Sequence, residues 1–193
     1  MPHGRESLAS LEFHPVTTDR WEDLVALFGE RGACAGCWCM WWRLKRSEWE
    51  AGRGEGNKNT LKRIVNSGEI PGILAYVEGQ PIAWCSVAPR EAFPALERSR
   101  TLKRIDDQPV WSIVCFFVDK SFRGRGVTVK FLRAAADYVR ERGGRIVEGY
   151  PSRPEKRVAD AWAYTELESA FLQAGFEEVA RPSSARSIMR HYL

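Results

Sequence analysis

The sequence has no long hydrophobic run. Its longest near-continuous apolar stretch is eight residues, Trp111–Val118. A membrane-spanning helix needs ~20, so no membrane partner is expected. The opening Met1-Pro2-His3-Gly4-Arg5-Glu6-Ser7 holds no apolar core of the kind a secretion signal carries, and a cytoplasmic location is expected. An excess of one charge is also lacking, since 29 Lys and Arg stand against 25 Asp and Glu, leaving +4. The basic residues of 98–104 are mixed with acidic ones and no recognition motif accompanies them, so nucleic acid is not expected as a partner. The mild positive balance suits an anionic small molecule. Two well-known phosphate cradles are missing. There is no G-x-x-x-x-G-K-[ST], and G-x-G-x-x-G fails because Val129 stands where the third glycine belongs. No internal repeat is present. The five cysteines are an odd number, and without a secretion signal they read as reduced thiols. At 193 residues and 44% hydrophobic content, the chain is expected to form one domain, 1–193, with a sizeable core.

What is present alternates between helix and strand. Trp21, Leu24, Val25, Leu27 and Phe28 have helical spacing, with Thr17, Thr18 or Asp19 as N-cap and Gly29 and Gly32 as breaks. A Cys- and Trp-rich stretch fills 33–42. The polar, glycine-rich 51–59 predicts a loop, followed by a short helix capped by Asn59 or Thr60 and ended near Gly68. Residues 73–87 predict a β-hairpin about Glu78-Gly79-Gln80. A charged link, 90–104, is expected to be helical. The run 110–118 is apolar at successive positions and predicts a strand buried on both faces. Val127, Phe131, Ala135 and Val139 lie on one stripe of a helix over 127–142 that Gly143-Gly144 stops. A strand (145–150), a helix (159–174) closed by Gly175, and a strand pair (176–180 and 187–192) follow. The class is α/β, or α+β with a mixed sheet.

The central strand runs through Asp119-Lys120-Ser121-Phe122 into Arg123-Gly124-Arg125-Gly126-Val127-Thr128. A glycine-rich turn thus feeds a helix N-terminus. Unpaired amides and the helix dipole favour an anion there. The two glycines permit close backbone approach, the physics of a phosphate cradle. Arg123 and Arg125 add charge.

Arg123-x-x-Gly126-x-Thr128, the preceding Phe116-x-Val118, and a helix leading into Gly175-Phe176 resemble the GNAT superfamily of acetyl-CoA-dependent N-acetyltransferases. Thr128 departs from the family's Gly or Ala. The resemblance covers roughly 73–193, and the N-terminal helices fit it too. It implies a GNAT-like fold: a mixed, mostly antiparallel central sheet flanked by helices, with a CoA cleft where the central strands splay. Residues 11–70 would form the N-terminal helices and the acceptor-side wall, and 71–193 the CoA-binding core. It further implies acetyl-CoA as co-substrate, with the pantetheine arm along Phe116, Phe117 and Val118. The pyrophosphate would sit on the turn of Arg123, Gly124, Arg125, Gly126, Val127, Thr128 and Val129. The implied activity is acetyl transfer to a primary amine of a small molecule or peptide. Oligomeric state stays open, with a homodimer common in the family.

Attack by an amine on a thioester calls for a base, and the departing thiolate calls for an acid. By the resemblance, Glu148 stands where the family places a base that often acts through water. Cys115 on the central strand is a second candidate. Where many members carry an acidic tyrosine this chain has Phe171. A long loop, 151–160, brings Tyr164, and after it Tyr150, into consideration as the acid.

Cys34, Cys37 and Cys39 form C-x-x-C-x-C, but a closed zinc site needs four ligands. His14 and Cys85 are the candidates for a fourth. No metal is expected. Trp38, Trp41 and Trp42 in the same stretch offer flat faces for an aromatic or cationic acceptor, or simply pack the first helices onto the sheet. The alternative to an acetyltransferase is a CoA-binding protein without catalysis, or a sensor of metal or oxidant built on Cys34, Cys37 and Cys39.

Overall fold

The computed structural model describes residues 11–152 and 168–193. Seven strands form one sheet: β1 (Leu11–Pro15), β2 (Ile73–Val77), β3 (Gln80–Pro89), β4 (Trp111–Val118), β5 (Ile146–Gly149), β6 (Glu177–Ser183) and β7 (Arg186–Tyr192). Their spatial order is β1-β2-β3-β4-β5-β7-β6. Only β4 and β5 pair in parallel; all other neighbours are antiparallel. The hairpin, the central strand and the closing strand pair thus form as the sequence predicts. β1 was not expected. It holds five residues, ends in a proline and lies at the sheet edge, where a missing N–H costs no ladder bond.

Helix α1 (Trp21–Phe28) buries Trp21, Leu24 and Phe28 and stops at Gly29, whose φ is +62°. Helices α2 (Arg46–Ala51) and α3 (Glu55–Asn66) follow. The segment 51–59, expected as a loop, is instead divided between the two. Gly54, at φ +82°, turns the chain directly into α3, which buries Asn57, Leu61 and Val65. The link expected as a helix holds one 3₁₀ turn (Arg90–Ala92) and a single α-turn, α4 (Pro94–Glu97). Helix α5 (Val127–Glu141) has the predicted stripe, with Val127, Phe131, Ala135 and Val139 all buried. Helix α6 (Glu168–Gln173) is described only from Glu168.

The two faces of the sheet carry different cores. Ile73 and Ala75 of β2 face α5 and α6, together with Phe131, Leu132, Phe171 and Phe176. Leu74 and Tyr76 face the other way, onto α1, α3 and the Cys/Trp segment, with Trp21, Trp38, Met40 and Trp84. A third cluster, with Phe93, Leu96, Val114, Tyr150 and Ile188, continues this second face. The alternation breaks once in β4. Cys115 pairs with Ser86 and Ile113 with Val87, so Val114 is an extra residue without an opposite number, a β-bulge. Ile113 and Phe116 therefore share the α5 face although three positions apart, and Cys115 is turned to the opposite side.

Candidate functional site

The pairing of β4 with β5 ends at Ile113 and Gly149. β4 continues for five residues, still paired with β3 as far as Val118. Among the described residues no strand pairs with 114–118 on the β5 side, so that edge presents main-chain donors and acceptors to the cleft. The ring of Phe171 lies at the fork, so close over Gly149 that an added Cβ would fall 2.2 Å from it. Phe171 also meets Phe116 and Phe176 edge-on. The place where an acidic tyrosine was looked for thus holds a packed hydrocarbon ring.

Phe116 and Val118 point into the α5 core, and Phe117 points to the other face against Phe28. What the cleft receives from these three residues is main chain. Beyond them Asp119 accepts the Ser121 N–H at 2.9 Å, and the turn leads to Gly124 and Gly126. Both have φ near +70°, at +71° and +75°, a region that costs a non-glycine residue ~1–2 kcal/mol. A Cβ on either would meet nothing within 4 Å, so the surface above the turn is open to a ligand. The amides of Val127, Thr128 and Val129 start α5 without carbonyls one turn earlier to bond. Val127 is buried, whereas Thr128 and Val129 are half-buried. Arg123 and Arg125 are exposed, and each has work within the turn. Arg123 Nε donates to the Val118 carbonyl at 2.9 Å, and the Arg125 guanidinium lies 5.5 Å from the centre of the Phe122 ring.

Glu148 lies on the β5 side of the fork, opposite Ser112, and is 1% exposed. Its Oε1 accepts from Arg90 Nη1 at 3.0 Å and from the Tyr150 hydroxyl at 2.7 Å. Its Oε2 accepts from Arg190 Nε at 2.8 Å. Arg90 also donates to Glu97, to the Tyr150 oxygen and to the Leu102 carbonyl. Arg190 forms a two-pronged pair with Asp106. Tyr150 gives its single proton to Glu148, so Ser112 is the donor in their 2.9 Å contact. Burial, then the Glu148 charge, pushes the Tyr150 phenol far above its usual range. Burial works against Arg190, but Asp106 and Glu148 hold its charge more firmly than usual. Asp106 is correspondingly held below the ordinary carboxyl range by its bonds to Arg190. Glu148 is thus the centre of a buried network joining β3's end, β5, β7 and the 98–110 link. Sequence reasoning found Glu148 and Tyr150 but not Arg90, Arg190 or Asp106. No local pattern marks them: Arg90 stands in a 3₁₀ turn, and β7 around Arg190 buries four successive residues instead of alternating.

Of the three tryptophans, Trp38 does not face a cleft. It is 3% exposed, stacked on Trp21 at 6.2 Å and covered by Phe28. That is a correction to its expected acceptor role, and the reason is packing: Gly32 lies against its indole so closely that no side chain fits there. Trp41 is exposed but turned onto Trp49 of α2. Trp42 alone of the three packs against the third cluster, to which Val114 and Tyr150 belong. Tyr164 lies outside the described residues. Among the described residues no group of three or more His, Cys, Asp or Glu is placed to hold a metal ion, and no helix is long and apolar enough to cross a membrane.

No curated protein sequence matches the chain. Solved structures do, at identities that speak for the fold. An acetyltransferase of the GNAT family from Streptococcus agalactiae aligns with a TM-score of 0.57 and 13% identity over 96% of each chain. The PaiA N-acetyltransferase of Thermoplasma acidophilum, in complex with coenzyme A, aligns at 0.55 and 13% over 95% of this chain and 99% of its own. The polyamine N-acetyltransferase of Drosophila melanogaster aligns at 0.55 and 13% over 95% and 100%. Residues 35–154, more than half of the sequence and the part that holds both strands of the fork, the glycine turn and Glu148 with its partners Arg90 and Tyr150, match the acetyltransferase (GNAT) family, and the chain belongs to that family.

Proposed function

We propose that this protein transfers an acetyl group from acetyl-CoA to a primary amine of a small molecule or peptide, within a ternary complex. The observation that carries the reading is the continuity of the free edge of 114–118 with the open turn at Gly124 and Gly126. An extended pantetheine arm would hydrogen-bond that edge as an added strand, and its pyrophosphate would meet the α5 amides, with Arg123 and Arg125 nearby. The amine then attacks the thioester carbon, the C–N bond forms, and the C–S bond breaks. CoA leaves as a thiolate that must take a proton.

The Glu148 network fits a positioning role: it anchors β5 against β7 and the link, and so fixes the angle at which β4 and β5 part. As the proposed base, Glu148 would take the amine's proton through a water at Oε2, the oxygen that accepts from Arg190. Tyr164 remains the proposed acid. Two of the structures that share this fold are named for acetylation of amines, a PaiA N-acetyltransferase and a polyamine N-acetyltransferase, which supports an amine acceptor here. The test is release of free CoA thiol from acetyl-CoA across a panel of polyamines, amino acids, aminoglycosides and peptides. Release dependent on one amine class is expected. A protein that binds acetyl-CoA yet releases thiol with none of them would leave the reading as CoA binding without catalysis.

A further inference from the structure

Cys39 and Cys115 are 76 positions apart, and their sulfurs stand 3.2 Å from one another. Two features of the fold bring them together. The bulge at Val114 turns Cys115 off the α5 face and toward the Cys/Trp segment. On the other side, Trp38 and Cys39 both take left-handed backbone angles, φ +47° and +54°, which non-glycine residues adopt only where the surroundings enforce it. The Trp84 indole N–H donates to Cys39 Sγ at 3.2 Å, and either thiol can be the donor in the contact between the two sulfurs. Access is unequal: Cys39 is 4% exposed, whereas Cys115 is half-buried at the seam between two core clusters. Cys115 is the more exposed residue of the pair, and the Cys39 thiol is held against it.

We propose that Cys39 and Cys115 are a site of reversible oxidation by peroxide, forming a disulfide that fastens residues 33–44 to the free-edged half of β4 and locks the acceptor side of the cleft. In the first step the Cys115 sulfur attacks one peroxide oxygen. The O–O bond breaks, and the products are a sulfenic acid and one water. The Cys39 sulfur then attacks the Cys115 sulfur. The S–S bond forms, the S–O bond breaks, and the Cys39 proton leaves with the hydroxide as a second water. Two thiols are oxidised as the peroxide is reduced. The sulfurs must close from 3.2 Å to ~2.05 Å, a movement within reach of a segment built of turns. A small dithiol reverses the bond by exchange. Cys34 and Cys37 are the competing thiols, both half-buried.

The effect on turnover rests on the acetyltransferase reading, whereas the cross-link does not. The test treats the full chain with hydrogen peroxide, blocks remaining thiols, digests without reductant and weighs the peptides. A linked peptide containing Cys39 and Cys115 is expected, two hydrogens lighter than its parts and separated by dithiothreitol. Turnover of acetyl-CoA should be lost with the link and restored by dithiothreitol. In the Cys39→Ser protein the reaction should stop at a Cys115 sulfenic acid that dimedone traps. A Cys34–Cys37 link in its place, free thiols at 39 and 115, or a linked protein with undiminished turnover would each overturn the proposal. A protein that links but has no turnover even when reduced would count against acetyl transfer alone.

Discussion

Single residues decide how the cleft is read. Glu148 was legible as a candidate because it stands on the strand after the turn-and-helix unit. Its partners were not, since Arg90 and Arg190 come from 58 and 42 positions away and no local pattern links them. With those partners, Glu148→Gln should cost about 3–5 kcal/mol, the usual effect of breaking a buried charge pair, and turnover should fall with it. Denaturant unfolding beside kinetics checks this. A variant of native stability that has lost turnover would mark the carboxylate as the base instead. Gly126→Ala should cost ~1–2 kcal/mol through its left-handed backbone and also remove acetyl-CoA binding, since the new methyl would sit in the open space above the turn. The tryptophans divide by burial. Trp38→Ala should destabilise by about 3–5 kcal/mol, whereas Trp41→Ala should lose about 1 kcal/mol with its ring contact to Trp49. Equal costs would show that Trp38 is not the core residue described.

At the scale of elements, the hairpin, β4, α5 and the closing strands were readable because each carries its own period or its own turn residues. β1 was not. Five residues containing a proline give no period to read, and the strand exists because β2 offers it an edge. The Val114 bulge was equally hidden, since an unbroken apolar run fits either register and pairing with β3 makes the choice. The 98–110 link shows the same dependence on context. The charged stretch 90–104 read as helix, yet past α4 the chain is held open by Arg90 bonding the Leu102 carbonyl and by Asp106 gripping Arg190. This gives a pH signature. A carboxyl depressed by its partner adds stability above its unfolded value, near ~3.9, and that stability is lost as the pH falls through the lower folded value. Asp106→Asn should therefore be less stable than the parent at neutral pH, with the deficit shrinking below about pH 4. Urea unfolding at both pH values measures it, and a deficit independent of pH would remove the ion pair from the account.

Across the whole molecule, the sheet separates two chemistries. The α5 face is a hydrocarbon core that carries the glycine turn at its rim. The opposite face carries Trp21, Trp38, Trp49 and Trp84, the thiol pair and the start of the charge network, and the fork between β4 and β5 opens where the two meet. The turn and the helix that follows it could be recognised in the sequence, whereas the splay of the central strands came only through the family resemblance, because its place depends on β5 ending its pairing at Gly149 while β4 goes on. The claim that joins these parts is that the free edge and the turn together bind acetyl-CoA. Thermal unfolding with and without acetyl-CoA tests it most directly. At ~100 times the dissociation constant, binding to the native state alone adds about 2.7 kcal/mol. For a chain of this size that corresponds to a rise of roughly 5–11 °C in Tm. A rise of this order, reproduced by free CoA and absent in Gly126→Ala, is the predicted result. An unchanged Tm at millimolar acetyl-CoA would contradict the account.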